Sequence, residues 1–120
     1  MAELLTLSNL SKPKIILCVE NYSSFWLKFK GLMLQKEIQP GFGVMFQDET
    51  ESRLNSAIHM LFMNFDIAVF WVNKKNIIVD KRIARAWNLF YLPASPACIT
   101  IETHSSHYGD FNIGDQITFE

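Results

Sequence analysis

Hydrophobic positions are densest between Ser56 and Asn73, where S-A-I-H-M-L-F-M-N-F-D-I-A-V-F-W-V-N is interrupted inside only by His59, Asn64 and Asp66. A membrane-spanning helix needs about 20 apolar residues, more than this run supplies. Its β-branched and aromatic residues favour strand over buried helix. It is too long for one strand, so it predicts two, Ala57–Met63 and Ile67–Val72, meeting at a bend near Asn64–Asp66. Alternation puts Ile58, Met60 and Phe62 on one face and His59, Leu61 and Met63 on the other, both apolar and so both expected to be covered.

The rest of the chain alternates short apolar runs with turn residues. Leu4–Ser8 and Lys14–Glu20 read as strands separated by Asn9–Pro13 turn chemistry. The period then changes, because Tyr22, Phe25, Trp26 and Phe29 fall on one helical face; this predicts a short helix over roughly 22–30, ending at Gly31. Gln39-Pro40-Gly41 makes a turn, Val44–Gln47 a short strand, and Asp48–Asn55 a polar loop. Asn73–Asn76 makes a hairpin turn that returns the chain along Ile77–Ala84. There Ile77, Val79 and Ile83 share a face, opposite Ile78, Asp80 and Arg82. Ala97–Thr103 follows with Ile99 and Ile101 inward and Thr100 and Glu102 outward. His104–Gly109 is a turn or one helical turn, Ile113-Gly114-Asp115 a turn, and Gln116–Phe119 a closing strand. About seven short strands and one short helix predict a mostly β fold, a small sandwich or barrel, in a single domain over 1–120.

Composition narrows the function classes. The chain is 49% hydrophobic with ten Phe and three Trp, ample for an aromatic core. A formal charge of −1 with scattered lysines and arginines argues against a nucleic-acid binder. No secretory or lipidation pattern is expected, so the expectation is a soluble cytoplasmic protein without a membrane partner. Cys18 and Cys98 fit that compartment as free, buried thiols, with a disulfide between them as the lesser alternative, and two isolated cysteines make no zinc site. Low charge and many aromatics are also compatible with a homodimer face.

No complete catalytic set appears. There is no nucleophile elbow, phosphate loop or calcium loop. Glu102, His104, His107 and Asp110 cluster, but without the helical spacing of a zinc protease; they read as turn polarity, and no metal or cofactor is expected. His59 reads either as a buried ring bonded to backbone or as a polar group lining a cleft. Asp66 either pairs with Arg82 or Arg85 or ends a strand. Trp71 reads as core, and Trp87, near the Pro93–Pro96 loop, as a partly exposed ring. The leading expectation is a non-enzymatic binding domain, with a small polar ligand, glycan or peptide near His59, Asp66, Arg85 and Trp87. The alternative is a hydrolase or metal-assisted enzyme using His59 or the His104/His107 pair.

Several segments in order carry a resemblance. Gly31-Leu32-Met33, Ser56–Phe62, Ile67–Asn73, Ala86-Trp87-Asn88, Pro93–Ala97 and Ile113–Ile117 together resemble the DUF192 family, a widespread domain of unknown function. The chain departs from the family pattern in having Asp66 where Pro is usual, Ala68 where Asp is usual, and Ala86 where Pro often precedes Trp. Asp66 falls on the face of Ala68, but two residues or about 6–7 Å away. The resemblance implies a compact, mostly β domain with a short helix, and no established reaction.

Overall fold

The computed structural model describes residues 3–22, 32 and 35–120. Among them are seven strands: β1 (Glu3–Asn9), β2 (Ile16–Tyr22), β3 (Phe42–Ser52), β4 (Ile67–Val72), β5 (Ile78–Ala84), β6 (Ala97–His104) and β7 (Ile117–Phe119). They form one sheet in the order β5-β4-β6-β3-β2-β1-β7. Only the β2–β3 pair is parallel, which requires a crossover, while the others are antiparallel.

The sheet curls until its two ends meet. Ile77 bridges Gln116, the Ile117 N–H donates to the Asn76 carbonyl, and the Ile78 N–H donates to the Asp115 carbonyl. One apolar cluster draws on all seven strands, including Leu7, Val19, Met45, Phe70, Ile78, Ile101 and Ile117, and so fills the inside of the curl. A second, on the outer face, combines Val44, Val69 and Trp71 with residues of connecting segments, Leu32, Ile58, Met60 and Met63. Thus β4 and β6 are covered on both sides, and all six residues of β4 are buried.

Turn chemistry matches the sequence. The Asn73 side-chain oxygen accepts from the Lys75 and Ile77 N–H groups, and Asn76 takes φ 60° to close the β4–β5 hairpin. Gly41 (φ 90°) and Gly114 (φ 97°) hold left-handed turn positions.

Several expectations need correction. Residues 57–63 are not a strand; their single β-bridge, Ile58 to Tyr91, is to another connecting segment outside the sheet. Their apolarity has another cause: Ile58, Met60 and Met63 cover the outer face of the sheet as an irregular segment, while Phe62 turns outward at φ 62°. The expected Val44–Gln47 strand and polar loop are largely one strand, β3, whose second half stays extended past a register shift between Gln47 and Ser52. On β5, a bulge opposite Trp71 and Val72 makes Val79 an extra residue. It places Ile78 and Ile83 in the inner cluster and Val79 against the outer one, separating Val79 from Ile83, with which it was expected to share a face. Thr100 and Glu102 do not face water; the outer layer buries both. Strand β2 starts at Ile16, after a turn closed by the Ile15 N–H on the Lys12 carbonyl, and runs through Tyr22. The helix expected over 22–30 therefore loses Tyr22 to β2, and its other residues lie outside the described residues. The helical element that is described is a 3-10 turn, Ser105–Asp110.

Candidate functional site

Asp66 stands just before β4, where the covering segment turns into the sheet. Its Oδ1 accepts the Ala86 N–H at 2.8 Å and its Oδ2 accepts the Arg85 guanidinium at 2.8 Å. The Ala86 N–H first, and the Arg85 bond second, hold its carboxyl below the usual range. Of the two partners foreseen, Arg85 is the one used; Arg82 instead lies 5.8 Å from the Tyr91 ring centre. Ala68 lies in the inner cluster, while the Asp66 carboxylate is bonded to the 85–86 turn.

The segments around residues 58–62 and 87–91 are tied together by their backbones. Ile58 and Tyr91 exchange N–H···O bonds at 3.0 Å, the Met60 N–H donates to Asn88, and the Trp87 N–H donates to Met60. The Tyr91 hydroxyl accepts from the Arg85 N–H and the Asn88 side-chain amide. Trp87 is 55% exposed, at φ 68°, with its ring edge-on to Phe62 at 5.3 Å. His59 is half-buried, and its Nδ1 accepts the Leu61 N–H at 3.2 Å. Of the four residues singled out from sequence, Asp66 and Arg85 are in direct contact, and Trp87 follows one residue after Ala86. His59 lies on the partner segment.

A cleft of about 320 Å³ opens beside Asp66, lined also by Glu37, Ile38, Phe65, His104 and Ser105. The strand register brings His104 there, since Ile67 faces His104 across the β4–β6 ladder. The His104 Nδ1 accepts the Ser106 N–H and caps the 3-10 turn. His107 does not join the cleft. Its Nδ1–H bonds Asp110 at 2.8 Å, and its Nε2 accepts the Gly41 N–H at 2.8 Å. Both ring nitrogens are thereby occupied, clamping the Gln39–Phe42 turn to the 3-10 turn. His107→Ala is expected to cost about 1–3 kcal/mol in urea denaturation, because it orphans the Gly41 N–H and an Asp110 oxygen. A loss below the error of the fit would mean the clamp adds nothing.

Among the described residues, no group of three His, Cys, Asp or Glu is placed to hold a metal ion. Cys18 is half-buried and Cys98 buried, both as free thiols, and burial first, then Glu51, pushes Cys98 above the usual range. No helix among the described residues is long and apolar enough to cross a membrane. Sequence reasoning read Glu102 as outward-facing turn polarity; it is buried on the outer face of β6, with its carboxyl pushed up to about 7 by desolvation. Its flanking Ile101 and Thr103 gave no sign, since the covering layer comes from distant segments.

The DUF192 family model, described as an uncharacterized ACR, matches residues 8–119. Relatives called UPF0127 proteins include one from Thermococcus sibiricus, 36% identical over 99 residues, covering 81% of this chain and 62% of that protein. Another, from Thermococcus gammatolerans, is 38% identical and covers 70% of this chain and 53% of its own length. A third, from Pyrococcus furiosus, is 33% identical and covers 78% of each. The chain thus spans less than two thirds of the first two. Two crystal structures share the fold at low identity. A Sinorhizobium meliloti protein, provisionally described as a transcription regulator, matches at TM-score 0.83 and 14% identity, over 99% of this chain and 94% of its own. A Novosphingobium aromaticivorans protein of unknown function matches at TM-score 0.77 and 15% identity, over 98% and 84%.

Proposed function

The chain belongs to the DUF192 family, and from that premise we propose that it is a non-enzymatic binding domain whose small polar ligand sits in the cleft beside Asp66. The observation that carries this reading is Asp66 itself. Its carboxylate lines the cleft while two fixed donors, the Ala86 N–H and the Arg85 guanidinium, hold it in place. Such a held, charged group on a rigid sheet selects a ligand with hydrogen-bond donors. Glu37, His104 and Ser105 supply further polar contacts around the cleft, and Ile38 and Phe65 supply apolar wall.

The enzymatic alternative has less support. His107, one of the pair it would use, has both ring nitrogens bonded. A general base needs a nitrogen within reach of its proton. Asp66 is held ionised by its donors, so it acts as an acceptor rather than an acid.

A thermal-shift screen of amino acids, amines, oligosaccharides and short peptides tests the reading. A ligand present at a hundred times its Kd contributes about 2.7 kcal/mol, or roughly 10 °C in a domain of this size. One class is expected to give a shift of that order, and Asp66→Asn to remove most of it. No shift in any class, or a shift indifferent to Asp66→Asn, would remove the proposed site.

A further inference from the structure

Large apolar side chains crowd the two tied segments. Phe62, Trp87, Leu89, Phe90 and Leu92 are 48%, 55%, 67%, 70% and 41% exposed. Isolated exposed apolar residues are ordinary, but five on two hydrogen-bonded segments are not. Two of them, Phe62 and Trp87, touch each other and hold positive φ, a conformation that bulky residues adopt at a cost. The backbone is strained where it turns these two rings outward.

We infer that this aromatic cap is a docking surface for an anionic lipid bilayer, entered at the headgroup boundary. Three features favour a bilayer over other occupants. First, backbone bonds pin the two segments to each other, through Ile58–Tyr91, Met60–Asn88 and Trp87–Met60. The cap is therefore a fixed rim whose exposed side chains enter the headgroup boundary while the backbone of Leu89 and Phe90 stays hydrated. A peptide adding as a strand would find those same groups taken. Second, arginines ring the cap: Arg53 donates to the Pro93 carbonyl, Arg82 lies beside Tyr91, and Arg85 precedes Trp87 by two residues. Arg85 is paired with Asp66, and Asp80 is turned to the N–H groups of Lys81 and Ala94, so the positive charge offered at the cap rests on Arg53 and Arg82. Two copies meeting through this face about a twofold axis would set arginines against arginines, whereas anionic headgroups complement them. Third, Trp87 and Tyr91 supply the amphipathic rings that settle at membrane interfaces. Sequence alone led to the opposite expectation, because the apolar run at residues 89–92 is far too short to suggest a membrane.

Flotation of the full chain with extruded vesicles tests this. Vesicles of phosphatidylcholine with one third phosphatidylglycerol are expected to carry at least tenfold more protein than phosphatidylcholine alone. Leu89→Ser with Phe90→Ser, at positions too exposed to serve the core, is expected to cut that binding at least tenfold while leaving the melting temperature unchanged. Arg82→Glu is expected to abolish the preference for anionic lipid. His104→Ala, which alters the cleft at a residue with no bond to the cap, is expected to leave flotation intact, so the two sites fail separately. No flotation with either vesicle, or flotation indifferent to the serine pair, overturns the inference. So does a concentration-dependent dimer that the serine pair dissociates without any lipid binding.

Discussion

Trp71→Ala is expected to lower stability by about 4 kcal/mol, at the upper part of what large-to-small core changes cost. Trp71 is fully buried in β4 on the outer face, packed in the cluster with Val44, Val69 and Met60. Its indole Nε1–H also donates to the Ser56 carbonyl at 2.7 Å, and the Ser56 hydroxyl donates in turn to the Ala97 carbonyl. Two losses therefore add: a cavity on the covered face of the sheet, and an orphaned carbonyl in a buried residue. Urea unfolding followed by far-UV circular dichroism separates them. With an m-value of about 2 kcal/mol/M, Trp71→Ala shifts the midpoint down by about 2 M. Trp71→Phe keeps most of the ring and loses the hydrogen bond, so about 1–3 kcal/mol is expected for it. The anchor also positions the candidate site, because Ser56 begins the segment that carries His59 and Phe62. Trp71→Phe should speed amide exchange at Ile58 and Met60 more than along β6. A midpoint shift of Trp71→Ala under 0.5 M would mean that this face is not core.

What the sequence showed of the fold follows from where covering layers come from. Strand β4 was legible to the residue, because a segment buried on both faces is apolar at every position. Segment 57–63 was equally apolar and misled for that reason. Its side chains are buried from one side only, by the sheet beneath, and its backbone pairs with 87–91 rather than with a strand. Hydrophobicity reports burial, and cannot separate a strand from an irregular cover. Turns were legible wherever one residue carries the mechanism, as at Asn73, Gly41 and Gly114. The bulge at Val79 was not, because an extra residue in a ladder changes register without changing composition.

The site was legible in part. Asp66 and Arg85 were both singled out, and a polar residue at the mouth of an apolar run was the signal. The cleft was not, since Glu37, Asp66 and His104 are brought together by the β4–β6 register and by a crossing segment. The exposed cap was hidden for a related reason. Phe62 and Phe90 look like core residues in sequence, and only positive φ at Phe62 and Trp87 reveals which way the chain turns them.

Glu102→Gln is expected to stabilise the protein at pH 8 by up to about 3 kcal/mol, and to do little at pH 4.5. Glu102 sits on β6 facing Val44 on one neighbouring strand and Val69 on the other. Removal from water disfavours its charged form and lifts its carboxyl from 4.5 to about 7. A folded state with the higher value binds the proton more tightly than the unfolded chain. Its contribution to stability is then complete below pH 4.5 and lost as pH rises through about 7. The difference between the two values converts to about 3 kcal/mol. Asp66 acts in the opposite sense, its contribution being lost only as pH falls below 3.8, so the two windows do not overlap. Melting temperatures of wild type and Glu102→Gln between pH 4.5 and 8 should diverge steadily, with the variant ahead by roughly 10 °C at the upper end. Parallel curves would mean that Glu102 reaches water or a cation in solution. Since Glu102 and His104 lie two apart on one face of β6, and His104 lines the cleft, the divergence would place a proton-sensitive carboxylate next to the proposed binding site. A ligand that is held beside His104 and carries positive charge should then narrow the gap between the two curves above pH 7.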